Sequence, residues 1–197
     1  MEIPIIMPSN QPKTPWDDDV PILEVPGGYK VYLTNPIFNP DSYNKLCYTL
    51  DLAKSHETVE FIINTPGGDA DSAFMVYHAI QSTKAKTVAT LVGTVASAGT
   101  IIAMACKTLN VSPNLGFMVH IFSASYSGKA QDLKSIQDFN DKEMNTYFRE
   151  IYKDFLTVGE LDKVIEGKDL WMGSSEVKER WANKQAAKKT KKDTTDE

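Results

Sequence analysis

Residues Val59–Thr83 read VEFIINTPGGDADSAFMVYHAIQST. β-Branched and aromatic residues crowd the first seven positions, the composition of a strand packed against neighbours. Pro66, Gly67 and Gly68 end that run, and AFMVYHAIQST then resumes with apolar side chains at helical spacing. Upstream, KVYLTN (Lys30–Asn35) reads as a strand. PDSYNKLCYTLDLAKS (Pro40–Ser55) reads as a helix, opening on Pro-Asp-Ser with Leu46, Leu50 and Ala53 at helical intervals. Downstream, TVATLVGT (Thr87–Thr94) is a strand, AGTIIAMACK (Ala98–Lys107) a short helix, and TLNVSP and FMVHIF two short strands. This alternation predicts an α/β fold with strands mostly covered on both faces and right-handed crossovers.

Beyond this core, residues Lys129–Leu156 contain neither proline nor glycine and set Leu133, Ile136, Met144, Tyr147, Ile151 and Phe155 near one stripe. The spacing predicts one long amphipathic helix over about 129–157, roughly 40 Å in length if unbroken. Residues 1–27 carry Pro4, Pro8, Pro12, Pro15, Pro21 and Pro26 and an acidic run, Asp17 to Asp19, which predicts an extended N-terminal arm. A single domain is expected over 28–186. Residues 187–197, charged and poor in hydrophobes, are expected to form a disordered tail.

The 197 residues are 42% hydrophobic, enough for one substantial core, and the formal net charge of −5 argues against a nucleic-acid grip. Cys47 and Cys106 lie in apolar stretches without a C-x-x-C spacing, so neither metal nor redox chemistry is expected. No run approaches the roughly 18 apolar residues of a membrane span, and the first fifteen residues lack the pattern of a secretion signal. A cytoplasmic protein, or one from a virion interior, is the expectation, with no cofactor, nucleic-acid partner or membrane partner.

Ser97 stands among Ala96, Ala98 and Gly99 between a strand and a helix. On local spacing alone it reads first as an N-cap, its side chain accepting a hydrogen bond from a free amide. The G-x-S-x-G nucleophile elbow fits poorly, because Val95 occupies the first glycine position. A nucleophilic serine needs a base, and the chain has three histidines. His56 sits in a polar connection and His78 on a helix face. His120 ends an apolar strand, where α/β proteins gather reactive side chains, and it is the candidate base. The Pro-Gly-Gly segment reads ordinarily as a tight turn. Its functional reading is an oxyanion loop, in which a bare glycine amide and the amide of Ala98 face a developing negative charge. With 26 acidic residues in the chain, chemistry alone does not choose a third catalytic group.

Taken together, FIINTPGGDADSAFMVYHAIQ, GTVASAGTIIAMA, SPNLGFMVHIFSASYSGKAQDL and GKDLWMGSSEVKE resemble, in order and spacing, the proteolytic subunit of the Clp protease, ClpP, over about residues 30–180. The resemblance implies a ClpP/crotonase-like spiral of ββα units with a protruding handle helix, whose start matches Gly128, Ala130 and Asp132. It implies a serine endopeptidase with Ser97 as nucleophile, His120 as general base and Asp169 as the acid that orients the histidine. Gly68 and Ala98 would supply the oxyanion amides, and a strand at Asp69 and Ala70 would align an extended peptide by β-addition. It further implies heptameric rings stacked into a tetradecameric chamber, fed with unfolded polypeptide by an AAA+ unfoldase. Three alternatives stay open from the sequence: a viral prohead maturation protease of the same fold, a crotonase-like acyl-CoA enzyme, and a catalytically silent ring subunit.

Overall fold

In a computed structural model that describes residues 20–122 and 127–193, the Val59–Thr83 stretch becomes the centre of the sheet. The elements run β1 (Ile22–Val25), β2 (Gly28–Leu33), a 3₁₀ turn (Pro40–Tyr43), α1 (Asn44–Leu52), β3 (Thr58–Thr65), α2 (Ala70–Ser82) and β4 (Lys86–Ala96). They continue with α3 (Ala98–Ala105), β5 (Thr108–Val111), β6 (Gly116–Val119), α4 (Ala130–Phe139), a π-helical turn (Asn140–Met144), α5 (Asn145–Tyr152), α6 (Val158–Ile165), β7 (Leu170–Gly173) and α7 (Ser174–Asp193). The fold is α/β. Among the described residues, a seven-stranded mixed sheet has the order β1-β2-β3-β4-β6-β7, with β5 also on β4; of these strands, β1 and β7 run antiparallel to their neighbours.

One strand explains the branching. β4 pairs with β5 through Val88–Leu91 and with β6 through Thr94–Ala96. Between those halves the register against β3 slips, from Ile63 opposite Leu91 to Thr65 opposite Val95, and Gly93 takes φ +65°. The Asn64 side chain fills the gap by accepting a hydrogen bond from the Thr94 amide at 3.2 Å. The irregularity bends the strand and changes its partner, as bulges do. It delivers Ala96 to the sheet end, where the chain turns into α3. All eight residues of α3 are buried, which fits an apolar helix threaded through the core.

The expectation of strands covered on both faces is corrected. Along β3, Val59, Phe61, Ile63 and Thr65 are buried, while the residues between them are not. The second face carries polar links: Lys30 to Glu60 at 3.3 Å and Thr90 to Glu60 at 2.7 Å. Among the described residues, burial along β3 follows period two, the pattern of a strand covered on one face.

Of the N-terminal arm expected over 1–27, Ile22–Val25 is instead a strand paired with β2; residues 1–19 lie outside the described residues. The long helix expected over 129–157 runs continuously from Ala130 to Tyr152 as α4, the π-turn and α5, and stops just before Asp154 adopts φ +62°. α4 buries none of its residues, whereas α5 buries Phe148, Ile151 and Tyr152.

The disordered tail expected from 187 is corrected as well, since α7 continues to Asp193; residues 194–197 lie outside the described residues. Val177, Trp181 and Lys184 are buried at i, i+4 and i+7 and fix the helix to the body. Lys184 Nζ donates to the carbonyls of Ile151 at 3.2 Å and Lys153 at 2.5 Å, so an ammonium closes the C-terminal end of α5. Alanine, lysine and glutamine are good helix formers, and a helix already anchored needs only propensity to extend.

Arg180 joins α7 to α6. It contacts Glu160 at 2.6 Å and Glu176 at 2.8 Å, and Glu160 also completes a capping box with Thr157. The Arg180 guanidinium first, and the Thr157 groups with it, pull the Glu160 carboxyl from 4.5 down to about 2 against the opposing effect of burial. A carboxyl depressed on folding stabilises the native state fully above its ordinary value, and the contribution is lost as pH falls through the folded value. Thermal melting should therefore lose stability between about pH 4.5 and 2 more steeply in the natural chain than in Glu160→Gln. Parallel curves for the two proteins would show that the pair does not contribute.

Candidate active site

Ser97 occupies the one-residue corner between β4 and α3 with φ +53° and ψ −125°, outside the regions open to an unstrained L-residue. Neighbouring hydrogen bonds hold it there. Its amide donates to the Met118 carbonyl on β6 at 2.9 Å, and its own carbonyl accepts from the Thr100 amide at 2.8 Å. Small neighbours are required: a Cβ on Gly99 would lie 2.4 Å from Thr65 Cγ2 at the end of β3. The N-cap reading of Ser97 is corrected, because its side chain makes no capping bond. Its Oγ instead lies 2.6 Å from His120 Nε2.

His120 follows the last residue of β6, and Asp169 precedes the first of β7. The antiparallel register pairs Val119 with Leu170, so one step further along the ladder sets 120 across from 169. His120 Nδ1 and Asp169 Oδ1 are 3.9 Å apart, and the aspartate side chain is 57% exposed. That separation is an ion-pair distance and longer than a hydrogen bond. When Nε2 accepts from the Ser97 hydroxyl, the ring proton sits on Nδ1, the side facing Asp169. The structure thus brings the three residues together, with Ser97 and His120 in direct contact. His78 is exposed, with its ring edge-on to Tyr77, and His56 is exposed in the turn after α1; neither lines the cleft.

The glycine loop closes the other side. Gly67 has φ +97°, and a Cβ there would stand 2.6 Å from Ser97 Cβ and 2.8 Å from the Ala96 carbonyl. Gly68 has φ +149°, and a Cβ there would collide with the Ile37 carbonyl at 2.1 Å. The Gly67 carbonyl accepts from the Ile37 amide at 2.8 Å, and the Asp69 amide donates to the Ile37 carbonyl at 2.9 Å. Those two bonds flank Gly68. Among the described residues, the Gly68 and Ala98 amides donate to no carbonyl outside the helix and strand ladders.

Asp69 and Ala70 do not form the expected strand. Asp69 caps α2, its Oδ1 accepting from the Ser72 amide at 2.8 Å, and Ala70 is the first helical residue. A capping aspartate starts the helix at once, and the Asp69 amide is already committed to Ile37. Both residues still line the cleft.

That cleft has a volume of about 810 Å³ and is bounded by Gly68, Ser97, Ala98 and His120. Ile101, Phe122, Leu133 and Met144 supply apolar walls, the last two from α4 and the π-turn. Among the described residues, no group of three or more His, Cys, Asp or Glu side chains is placed to hold a metal ion, and no helix is long and apolar enough to cross a membrane. Burial pushes the Cys106 thiol well above its ordinary range, which leaves it unreactive in the core.

The sequence singles out the Gly67-Gly68 pair but does not show that Gly67, rather than Gly68, packs against Ser97, and it does not announce β7. For β7, the pairing partner is more than fifty residues away.

A family profile described as Clp protease matches residues 29–180. The chain is 26% identical over 161 residues to the ATP-dependent Clp protease proteolytic subunit 1 of Chlamydia caviae, covering 76% of this chain and 82% of that one. It is 30% identical over 155 residues to the ATP-dependent Clp protease proteolytic subunit 3 of Rhizobium johnstonii, covering 76% and 78%. To the subunit 3 of Rhizobium meliloti it is 30% identical over 130 residues, covering 64% and 66%.

Proposed function

Because the chain belongs to the Clp protease family, a family of peptidases, we propose that it is a serine endopeptidase with Ser97 as nucleophile, His120 as general base and Asp169 as the group that orients His120. The observation that carries this reading is the 2.6 Å contact between Ser97 Oγ and His120 Nε2 at a strained strand-to-helix corner. A serine that only capped α3 would have no reason to hold that conformation.

His120 takes the Ser97 proton as Oγ attacks the peptide carbonyl, and the imidazolium then returns the proton to the leaving amine. The amides of Gly68 and Ala98 receive the oxyanion. A water activated by the same histidine releases the acyl group. Asp169 favours the tautomer with the proton on Nδ1 and stabilises the imidazolium. Its 3.9 Å separation shortens in the substrate complex, as catalytic hydrogen bonds of free enzymes commonly do.

Substrates are peptides or unfolded polypeptides that lie across the apolar wall of the cleft. Self-association into heptameric rings, stacked as a tetradecamer, would use α4, which buries none of its residues in the single chain and exposes Ile136 and Phe139. The relatives are named as ATP-dependent, and an AAA+ unfoldase is the corresponding partner proposed here.

Incubation with a fluorophosphonate probe, followed by peptide mapping, tests the reading. The expected adduct is on Ser97, in a species whose native mass is a multiple of the 21.9 kDa chain. Absence of an adduct on the assembled protein would instead indicate a catalytically silent subunit.

A further inference from the structure

The carbonyl of Ser97 and the amide of Ala98 belong to one peptide unit. That carbonyl accepts two hydrogen bonds from Thr100: one from its amide at 2.8 Å and one from its hydroxyl at 2.6 Å. Thr100 is fully buried, and its Oγ1 also lies 2.5 Å from Tyr152 Oη. A carbonyl cannot donate, so the single Thr100 hydroxyl hydrogen points to Ser97. The tyrosine must then be the donor in the second contact. The result is a directed chain from the Tyr152 hydroxyl, through the Thr100 hydroxyl, to the Ser97 carbonyl.

Tyr152 is the last residue of α5 and 1% exposed, and its ring packs on Phe148 with centroids 4.6 Å apart. Burial pushes its phenol well above the ordinary range, so it remains a donor across working pH. Lys184 holds the carbonyls around this helix end, which fixes where the hydroxyl sits.

We infer that Tyr152 and Thr100 are positioning residues for the oxyanion site: their hydroxyl chain orients and polarises the Ser97–Ala98 peptide so that the Ala98 amide faces the cleft as a strengthened donor. The inference rests on the proposed nucleophilic role of Ser97. Its physical basis is that hydrogen bonds in series polarise one another, and a bond accepted at a peptide oxygen makes the hydrogen on its nitrogen more acidic. The Ser97 corner is strained, so a peptide plane left to itself would relax away from this orientation. The chain also ties the end of the long helix to the reacting centre, across 52 positions of sequence.

Tyr152→Phe keeps the ring and deletes only the hydroxyl. For a fluorogenic peptide, kcat is expected to fall about tenfold with KM within about twofold, less than the roughly 10²–10³ lost when an oxyanion donor is removed outright. Affinity for a peptide aldehyde, which forms a tetrahedral adduct, should fall by the same factor. Thr100→Val should match this loss, Thr100→Ser should restore the natural kcat, and the Thr100→Val, Tyr152→Phe double variant should fall no further than either single one.

A purely packing role predicts a changed melting temperature with kcat and aldehyde affinity intact. That result, in a protein whose Ser97 still accepts the fluorophosphonate, overturns the inference and leaves the nucleophile standing. If Tyr152→Phe does not fold, the Thr100→Val and Thr100→Ser pair decides: equal kcat in the two overturns it. Loss of Ser97 labelling in the natural chain would remove the proposed function itself, and the inference with it.

Discussion

Ser97→Ala lowers peptide hydrolysis by on the order of 10⁴-fold or more and leaves the folded structure in place. The size follows from what the hydroxyl does in the proposed mechanism. It is the atom that forms the acyl bond, and it lies 2.6 Å from the proposed base. The fold should survive because the Oγ makes no capping bond and closes no helix end. The amide bond to Met118 and the carbonyl bonds from Thr100 involve backbone that alanine retains. Hydrolysis of a fluorogenic peptide and circular-dichroism melting, measured on the same preparation, check both halves. Retention of more than a few per cent of the natural rate would exclude Ser97 as nucleophile.

Gly67→Ala should damage both the site and the fold. The added Cβ would have to occupy space 2.6 Å from Ser97 Cβ, 2.8 Å from the Ala96 carbonyl and 3.0 Å from the Ala98 amide, all parts of the Ser97 corner that holds the proposed nucleophile. An L-residue at φ +97° adds backbone strain of about 1–3 kcal/mol. With overpacking of similar size, a loss of about 2–4 kcal/mol is expected, equivalent to roughly 5–15 °C in Tm. The corner can yield only by moving Ser97 or Ala98, and a displacement near 1 Å at reacting groups costs about 10²-fold in rate. Gly159→Ala is the control. Nothing lies within 4 Å of a Cβ there, and the residue sits in helix α6, where alanine is favoured by about 0.5–1 kcal/mol. If Gly67→Ala keeps the natural rate and melting temperature, the glycine loop does not brace the nucleophile.

How much of this could be read from the chain follows the range of the interactions. β3, β4, α2 and α3 were legible because period-two and helical patterns are local, and the Pro66-Gly67-Gly68 break is a backbone signal in its own right. Ser97 and His120 could be singled out for the same reason, each standing at the end of a clearly patterned strand. Asp169 could be reached only through family resemblance. It meets His120 because β7 pairs with β6, and no local pattern in LWMG announces a strand whose partner lies so far back in sequence.

The π-helical turn at Asn140–Met144 was equally hidden, since nothing in NDKEM sets it apart from ordinary helix. The tail misled in the opposite direction. Its charge suggested disorder, while the anchors that make it helical, Trp181 and Lys184, act through contacts with a distant part of the chain. Ser97 as a cap was the sound local reading, and the long-range contact with His120 overrides it.

The backward-leaning φ of Ser97 has a consequence for anyone engineering this chain. Glycine adopts that conformation without steric strain, so the substitution that most relaxes the corner is also one that removes the hydroxyl proposed as nucleophile. A campaign that screened variants for heat resistance alone would favour such replacements and collect robust, inert proteins. Any directed evolution of this molecule therefore has to score turnover in every round, because at this position thermal robustness and chemistry pull in opposite directions.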